Sequence, residues 1–293
     1  MGHDHSNDRA VKSIGLAFFL NAGFTVFEII GGILTNSVAI LSDAVHDAGD
    51  AVSLGINWGL QRLSTRRGNS HFTYGYRRFS ILGALITSFL LIGGLIFILT
   101  RAIGRLQNPE HVSGPGMTGI AVVGIVVNGI AALRLRKGRS LPERAASWHM
   151  LEDVLGWAAV LVAGLVLIRW NVPVIDPILS IVISLFVMWN VLRLQKRIWS
   201  VFLQRSPDNF SVSDFERKVG QTPAVEGIHH THVWTLDGER HVLTTHVQMA
   251  AEATRVQILN VKSRIRQMLD SDKFEHVTVD VEIKGEPWVS AES

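Results

Sequence analysis

Six long apolar segments fill most of the first 200 residues, and they constrain the fold of this chain more than any other feature. Each is about 17–25 residues long, the length that an α-helix needs to cross the roughly 30 Å hydrocarbon core of a membrane. They lie near residues 13–35, 38–60, 80–100, 116–133, 145–168 and 175–192. The sequence therefore predicts an α-helical membrane domain with six transmembrane helices over residues 1–205.

Basic residues are distributed unevenly among the loops that join these segments. The loop after the second segment carries Arg62, Arg66, Arg67, Arg77 and Arg78, and the loop after the fourth carries Arg134, Arg136, Lys137, Arg139 and Arg144. Loops rich in arginine and lysine stay in the cytoplasm, so both termini are expected to be cytoplasmic. The first apolar segment lacks a small-residue cleavage pattern, which predicts a first span rather than a removable signal peptide.

The character of the chain changes after residue 205. Residues 206–293 carry fourteen acidic and nine basic side chains, whereas residues 1–205 carry eleven acidic and nineteen basic ones. Two helical patterns, "SVSDFERKVGQ" and "TRVQILNVKSRIRQML", alternate with three strand patterns, "GIHHTHVWTL", "RHVLTTHVQM" and "HVTVDVEI". The first two strands flank an Asp-Gly turn and predict a hairpin. The order αββαβ predicts a cytoplasmic α+β domain over residues 206–293, which we call the tail domain.

Composition excludes several kinds of function. The chain has no cysteine, so disulfides, thiolate metal ligands and redox switching are excluded. Its net charge is only +3, and the positive excess lies in short loops between apolar segments, which argues against nucleic acid as a partner. Any metal site must therefore use histidine, aspartate or glutamate.

Ionisable residues interrupt two of the apolar segments. His46 and Asp50 lie in "LSDAVHDAGDAV" of the second segment, and His149 and Asp153 lie in "WHMLEDVLGW" of the fifth. Residues four apart share one face of a helix. Two such helices packed together would present two imidazoles and two carboxylates at one point, a donor set suited to tetrahedral Zn²⁺. A cation or protons would also neutralise carboxylates that are otherwise unfavourable in hydrocarbon.

A hydrogen-bonded pair between helices is the alternative explanation of a single His-x-x-x-Asp sequence. Its occurrence in two spans, with no lysine or arginine inside either span, favours a metal site. Asp43, Asp47 and Glu152 lie beside these residues in the sequence. They are expected to orient the ligands or accept protons, with direct ligation by any of the three left open.

Several motifs together resemble the cation diffusion facilitator family over nearly the whole chain. They are "TNSVAILSDAVHDAGDAVSL", "FTYGYRR", "WHMLEDVLGW", "IHHTHVWTL", "THVQM" and "VTVDVE". The resemblance implies a homodimeric, proton-coupled exporter of Zn²⁺ and related divalent cations, with six spans and a metallochaperone-like tail domain. It also implies that His46, Asp50, His149 and Asp153 form the transport site, in the His-x-x-x-Asp form of the zinc-selective members.

The sequence departs from the family's pattern in two loops. Some members build a second metal site between spans two and three, where this chain offers only His71. His71 is therefore expected to be an ordinary loop histidine. Many zinc exporters also carry a histidine-rich loop between spans four and five, and here "RLRKGRS" stands in its place.

The resemblance also places a regulatory metal site in the tail domain. The matching positions are His229, His246, Asp280 and Glu282, with His232 as a neighbour on the same strand. Asp280 stands where some relatives have histidine, which would make such a site more negative. A hairpin whose histidines are merely solvated is the alternative.

These observations predict proton-coupled efflux of a divalent transition-metal cation, Zn²⁺ above all, by alternating access across a bacterial inner membrane. Histidine and carboxylate ligands release protons when they bind metal and take protons up when they release it. Expected partners are the metal ion, protons, membrane lipid and a second copy of the chain; Zn²⁺ is expected as the transported and regulatory ion, and no cofactor. The alternatives are the same transport with Cd²⁺, Co²⁺ or Fe²⁺ as the main ion, or a membrane-anchored metal sensor. An enzyme is not expected, since the chain has no His-Glu-x-x-His helix of a metallohydrolase.

Overall fold

A computed structural model describes residues 4–64, 68–135 and 141–284 of the chain. Six long helices come first: α1 (Asp4–Thr35), α2 (Val38–Ser64), α3 (Arg78–Gln107), α4 (Gly114–Leu135), α5 (Leu141–Trp170) and α6 (Ile175–Phe202). A smaller α+β part follows. The chain divides into one unit of Met1–Leu63 with Leu82–Gln195, and a second unit of Ser64–Ile81 with Lys196–Ser293. The domain boundary expected at residue 205 stays a prediction.

The six helices correspond one for one to the six predicted spans. Within the described residues, four segments are long and apolar enough to cross a membrane: Arg78–Gln107, Gly114–Arg134, Met150–Trp170 and Ile175–Phe202. The described apolar part of α1, Asn21–Thr35, is shorter. Within residues 38–53 of α2, Asp43, Asp47 and Asp50 interrupt the apolar sequence. The helical membrane fold is confirmed, and its least apolar helix is the one that carries the candidate site.

Small residues let the membrane helices approach closely. A methyl group at Gly124 of α4 would lie 2.3 Å from a ring carbon of Trp157 on α5, and one at Gly164 of α5 would lie 2.5 Å from Oγ1 of Thr118 on α4. Trp157 is fully buried in the largest core cluster of this unit. On the outer faces, large apolar side chains such as Leu90 are exposed, as a surface in contact with lipid requires.

The second unit contains the predicted αββαβ arrangement: α7 (Val212–Gly220), β1 (Val225–Thr235), β2 (His241–Met249), α8 (Arg255–Met268) and β3 (Phe274–Ile283). Both helices begin at a side-chain cap: the hydroxyl of Ser211 accepts from the backbone N–H of Asp214, and Thr254 forms a capping box with Gln257. The tail fold is therefore confirmed.

The sheet has the order β1-β2-β3, with β1 antiparallel and β3 parallel to β2. One core joins its apolar face to both helices, with Phe215 from α7, Val261 from α8, and Leu243 and Val247 from β2. The turn between β1 and β2 contains Gly238 with a φ of +98°, the conformation for which an Asp-Gly turn is suited. The opposite face of the sheet carries the histidines of the predicted tail site.

Residues of the loop between α2 and α3 also belong to this second unit. The guanidinium of Arg77 lies 3.0 Å from Glu275 on β3 and 3.6 Å from Asp237 in the β1–β2 turn. The ring of Tyr74 meets the ring of His276 edge to face, with centroids 5.0 Å apart. These contacts tie the motif "FTYGYRR" to the sheet of the tail domain.

Candidate metal centres

Helix α2 brings three potential metal ligands together inside the membrane domain. One ligand atom each from His46, Asp47 and Asp50 lies within 4.8 Å of the others. His46 and Asp50 are half-buried, one helical turn apart, and Asp47 is buried beside them. Asp47 therefore belongs with the ligand candidates, whereas the sequence analysis predicted a supporting role for it and left direct ligation open. Two carboxylates and an imidazole on one helix are donors of the kind that Zn²⁺ binds.

Helix α5 supplies a further carboxylate to the same region. Asp153 is half-buried and lies close enough to interact electrostatically with both Asp43 and Asp47 of α2. The backbone of His149 lies one turn earlier on α5, but its side chain lies outside the described part of the structure. The four-ligand arrangement of His46, Asp50, His149 and Asp153 thus stays a prediction.

Helix α1 contributes an acidic residue that the sequence analysis missed. Glu28 is fully buried and lies close enough to interact electrostatically with Asp43, Asp47 and Asp153. Its two carboxylate oxygens receive no hydrogen bond from a donor among the described residues. The available signal was a single glutamate in the apolar sequence "FTVFEIIGG", because an ionisable residue inside a span marks a functional site by default. Glu28 thus adds a third buried carboxyl group to those of Asp43 and Asp47 in this region.

A cavity of about 300 Å³ adjoins the cluster on α2. His46 and Asp50 line it together with polar side chains of neighbouring helices, namely Thr87 and Ser88 of α3 and Asn190 of α6. A cavity of this size with several polar groups can hold ordered water or a hydrated ion. The two predicted ligands of α2 therefore border a cavity whose lining is mainly apolar but includes these polar groups.

Two other residues singled out in the sequence lie apart from this cluster. Glu152 is exposed on α5, on a different face from Asp153. His71 is exposed in the loop before α3, where its backbone N–H donates to the side chain of Asn69 at 2.9 Å. Neither belongs to a group of three potential ligands among the residues that the structure describes.

The tail domain holds the second group of potential ligands, formed by His229, His246 and Glu282. The carboxylate of Glu282 bridges the two imidazoles: Oε1 lies 2.7 Å from Nδ1 of His246, and Oε2 lies 3.2 Å from Nε2 of His229. Asp280 is more distant, with Oδ2 3.8 Å from Nδ1 of His246 and a side chain that is 65% exposed. His232 is exposed and pairs with Thr244 outside the group.

Strand pairing explains this convergence. His229 of β1, His246 of β2 and Asp280 of β3 are direct partners across the sheet, and Glu282 lies two residues farther along β3. Residues two apart on a strand share a face, so all four project from the same side of the sheet. The structure thus brings together three of the four predicted tail residues and leaves Asp280 at the edge of the group.

The family of the chain follows from comparison with known proteins. The model of the cation efflux transmembrane domain matches residues 14–202. The chain belongs to the cation efflux family. The model of the cation efflux protein cytoplasmic domain matches residues 207–284. The resemblance to cation diffusion facilitators, with a membrane domain followed by a cytoplasmic α+β domain, is confirmed.

Relatives cover almost the whole chain. A cadmium, cobalt and zinc/H(+)-K(+) antiporter of Bacillus subtilis (strain 168) is 31% identical over 96% of this chain and 92% of its own length. The metal cation efflux system protein CzcD of Cupriavidus metallidurans is 33% identical, over 97% and 91%. The zinc transporter ZitB of Escherichia coli (strain K12) is 32% identical, over 96% and 93%. This cation efflux protein is therefore a multi-pass membrane transporter of metal cations, in a family of transporters rather than enzymes.

Proposed function

We propose that this cation efflux protein exports Zn²⁺ from the cytoplasm in exchange for protons. The observation that carries the proposal is the group of His46, Asp47 and Asp50, whose ligand atoms lie within 4.8 Å of one another on a membrane helix. Asp153 on α5 adds a carboxylate close enough to interact electrostatically with Asp47. We assign His46, Asp50, His149 and Asp153 as the transport ligands, with Asp47 as a further candidate.

The donor types favour Zn²⁺ over several other cations. Imidazole suits Zn²⁺, Co²⁺ and related ions, whereas Mn²⁺ and Mg²⁺ are better served by oxygen ligands alone. The names of the relatives include zinc, cadmium and cobalt, which supports the same group of ions. Cd²⁺, Co²⁺ and Fe²⁺ are the alternative main ions, and competition against Zn²⁺ in the transport assay ranks them.

Proton coupling follows from the chemistry of the ligands. A histidine with an ordinary pKa of about 6.5 changes charge near physiological pH. Metal can bind His46 only when a ring nitrogen is free of its proton, and a proton that returns to the site competes with the metal. If the site opens to one side of the membrane at a time, proton entry drives metal release without any further machinery.

Orientation, assembly and regulation complete the proposal. The arginine-rich loops around Arg62–Arg78 and Arg134–Arg144 support cytoplasmic termini in a bacterial inner membrane. The match to the family's cytoplasmic domain supports a homodimer. In the tail domain, His229, His246 and Glu282, with Asp280 alongside, would bind Zn²⁺ as a regulatory ion whose occupancy shifts the transport equilibrium.

Transport in proteoliposomes tests the membrane site. Liposomes that contain a zinc-sensitive dye report Zn²⁺ uptake with and without a pH gradient, for the wild type, Asp50→Ala and Glu152→Ala. Glu152 is the matched control because it is also an acidic residue within a predicted span but is exposed. We expect flux that depends on the gradient in the wild type and in Glu152→Ala, and none in Asp50→Ala. Equal flux in all three would remove the α2 site from the mechanism.

The tail site is tested separately by transport at low free Zn²⁺. Replacement of His229 and His246 by alanine leaves the membrane ligands unchanged. If tail occupancy favours the transport-ready state, the double variant needs more Zn²⁺ for half-maximal flux, whereas its maximal flux stays the same. An unchanged apparent affinity would contradict a regulatory role. It would favour the alternative, in which the histidines of the hairpin are merely solvated.

A further inference from the structure

Three imidazole rings form a nearly equilateral triangle on the open face of the tail sheet. The ring centroids of His229 and His230 are 5.6 Å apart, those of His229 and His246 are 5.6 Å apart, and those of His230 and His246 are 5.8 Å apart. Three imidazoles bound to one Zn²⁺ at about 2.0–2.1 Å would place each ring centre about 3.2 Å from the metal and the centres about 5–5.5 Å apart. The observed triangle is only a few tenths of an ångström larger.

The position of His230 in this triangle is not what a regular strand would give. Successive residues of a strand point to opposite faces, so His230 should lie across the sheet from His229. The register of β1 shifts here, because His229 pairs with His246 whereas His232 pairs with Thr244. His230 and Thr231 of β1 thus stand opposite a single residue of β2, Thr245, which defines a β-bulge with one extra residue.

The bulge turns His230 to the same side as His229. Its φ is +49°, in the left-handed region. The next residue, Thr231, has returned to the opposite face, where its hydroxyl lies 2.9 Å from the hydroxyl of Thr245. Two consecutive histidines of β1 therefore face His246 together, and this was not apparent from the alternation of the sequence.

The backbone conformation at His230 is disfavoured for a residue with a side chain. Glycine adopts positive φ without steric conflict, and asparagine tolerates it better than most residues. Strained conformations of this kind cluster at functional sites, where the side chain rather than the backbone requires them. Histidine is among the non-glycine residues most often found in this region, so the bulge can carry an imidazole here at modest cost.

We propose that His230 is a ligand of the tail metal site, together with His229, His246 and Glu282. The inference rests on the proposed function, which assigns metal binding to the tail domain. Glu282 already lies 2.7 Å from His246 and 3.2 Å from His229. His230 lies outside the group whose ligand atoms are within 4.8 Å of one another, so its imidazole must rotate to bring a ring nitrogen to the same ion. The donor set is three nitrogens and one carboxylate oxygen, and it replaces the predicted set that contained Asp280.

A site of this kind has two chemical consequences. Four protein ligands complete a tetrahedral Zn²⁺ shell and leave no position for water or for a passing ligand, which is typical of structural and regulatory sites. All four ligands come from a single chain, so the ion can bind without a ligand from a second copy. Asp280, which is 65% exposed and 3.8 Å from His246, then lies outside the metal shell.

Metal binding to the full-length protein tests the proposal without a transport readout. The background variant carries His46→Ala and Asp50→Ala, so that binding reports the tail domain. In this background, Co²⁺ absorption gives the coordination geometry, and displacement by Zn²⁺ gives the affinity. We expect His230→Asn to weaken Zn²⁺ binding by about tenfold or more and to reduce the tetrahedral Co²⁺ absorption. His230→Gly, which also accepts positive φ, should give the same loss.

His232→Asn is the matched control. His232 is an exposed histidine of the same strand, paired with Thr244. Its ring centroid lies 6.2 Å from that of His230, so this control asks whether a neighbouring histidine that is not a ligand affects the site, and its replacement should leave both signals unchanged. His229→Ala is the second reference and should abolish binding. If His229→Ala abolishes binding and His230→Asn leaves it unchanged, the tail site stands but His230 is not a ligand. If neither substitution changes metal binding, the tail domain has no such site, and its proposed regulatory role falls as well.

Discussion

The carboxylate of Asp176 on α6 accepts a hydrogen bond from the hydroxyl of Ser37 at 2.5 Å, immediately before α2 begins. It also accepts from the first two backbone N–H groups of α2, those of Val38 at 2.8 Å and Ala39 at 3.2 Å. Asp176 is fully buried. A side chain of one helix thus caps the start of another, and that second helix carries His46 and Asp50.

Replacement of Asp176 by alanine should therefore destabilise the membrane domain. Two buried N–H groups and a hydroxyl would lose their acceptor, at about 1–3 kcal/mol for each unsatisfied buried group. We expect the free energy of unfolding in detergent micelles to fall by several kcal/mol, with a smaller loss for Asp176→Asn, which retains one acceptor oxygen. Stability equal to that of the wild type in both variants would show that water replaces the cap.

The buried acidic residue on α1 should influence metal affinity rather than the transport step itself. Glu28 places a further buried carboxyl group in a region that already contains Asp43, Asp47 and Asp153, and this group can offer a negative charge to a cation once it gives up its proton. We expect Glu28→Gln to raise the Zn²⁺ concentration for half-maximal transport by about tenfold, equivalent to about 1.4 kcal/mol. Transport by proteoliposomes over a range of free Zn²⁺ measures this change.

Glu152→Gln is the control for that experiment. It removes an ionisable carboxyl group from an exposed position on α5, outside the cluster, and should leave the half-maximal concentration where it was. A similar shift in both variants would mean that net charge of the domain, and not the position of Glu28, determines the attraction of the cation.

The length of the apolar segments was sufficient to predict the six membrane helices, and residue spacing predicted the order of the tail elements and the face of α2 that carries His46 and Asp50. Segment length and periodicity are local properties of the chain. Periodicity does not say which helices are neighbours, and so it could not place Glu28 of α1 beside Asp47 of α2. A lone glutamate also lacks the repeated spacing that drew attention to the two His-x-x-x-Asp pairs.

The sequence did not point to His230, the additional ligand proposed for the tail site, for a different reason. His229, His246 and Glu282 were predicted by resemblance, and strand pairing brings them together. His230 was not singled out, because alternation along β1 would have placed it on the other face. A bulge breaks that alternation at one residue, and it depends on pairing with β2, which is distant in sequence.

The close approach of α4 and α5 predicts an unequal effect of two similar substitutions. A methyl group at Gly124 would lie 2.3 Å from the ring of Trp157, whereas one at Gly119 of the same helix meets no atom within 4 Å. We expect Gly124→Ala to lower the stability of the protein in micelles by about 1–3 kcal/mol, as overpacked cores do. Gly119→Ala should be close to neutral. Equal stability of the two variants would mean that the helices separate without cost.

The tail domain should lose stability as the pH falls, in part because of His241. This residue is mostly buried at the start of β2, with its ring edge to face against Phe274 at 5.4 Å. Burial lowers the pKa of His241 below its ordinary value of 6.5, with Lys273 acting in the same direction and Asp237 against it. Below pH 6.5 the unfolded chain therefore takes up a proton that the folded chain resists, and protonation favours unfolding.

The contribution of His241 is thus fully present above about pH 6.5 and declines as the pH falls toward its lowered pKa in the folded state. Because the chain has no cysteine, a single thiol introduced by Val247→Cys, at a buried position of β2, reports opening of the tail domain by its labelling in urea. Measured with a metal chelator present, the free energy of unfolding should fall less between pH 7.5 and 5.5 in a His241→Gln background than with His241 intact. The same pH dependence in both proteins would mean that His241 accepts its proton in the folded sheet as readily as in the unfolded chain.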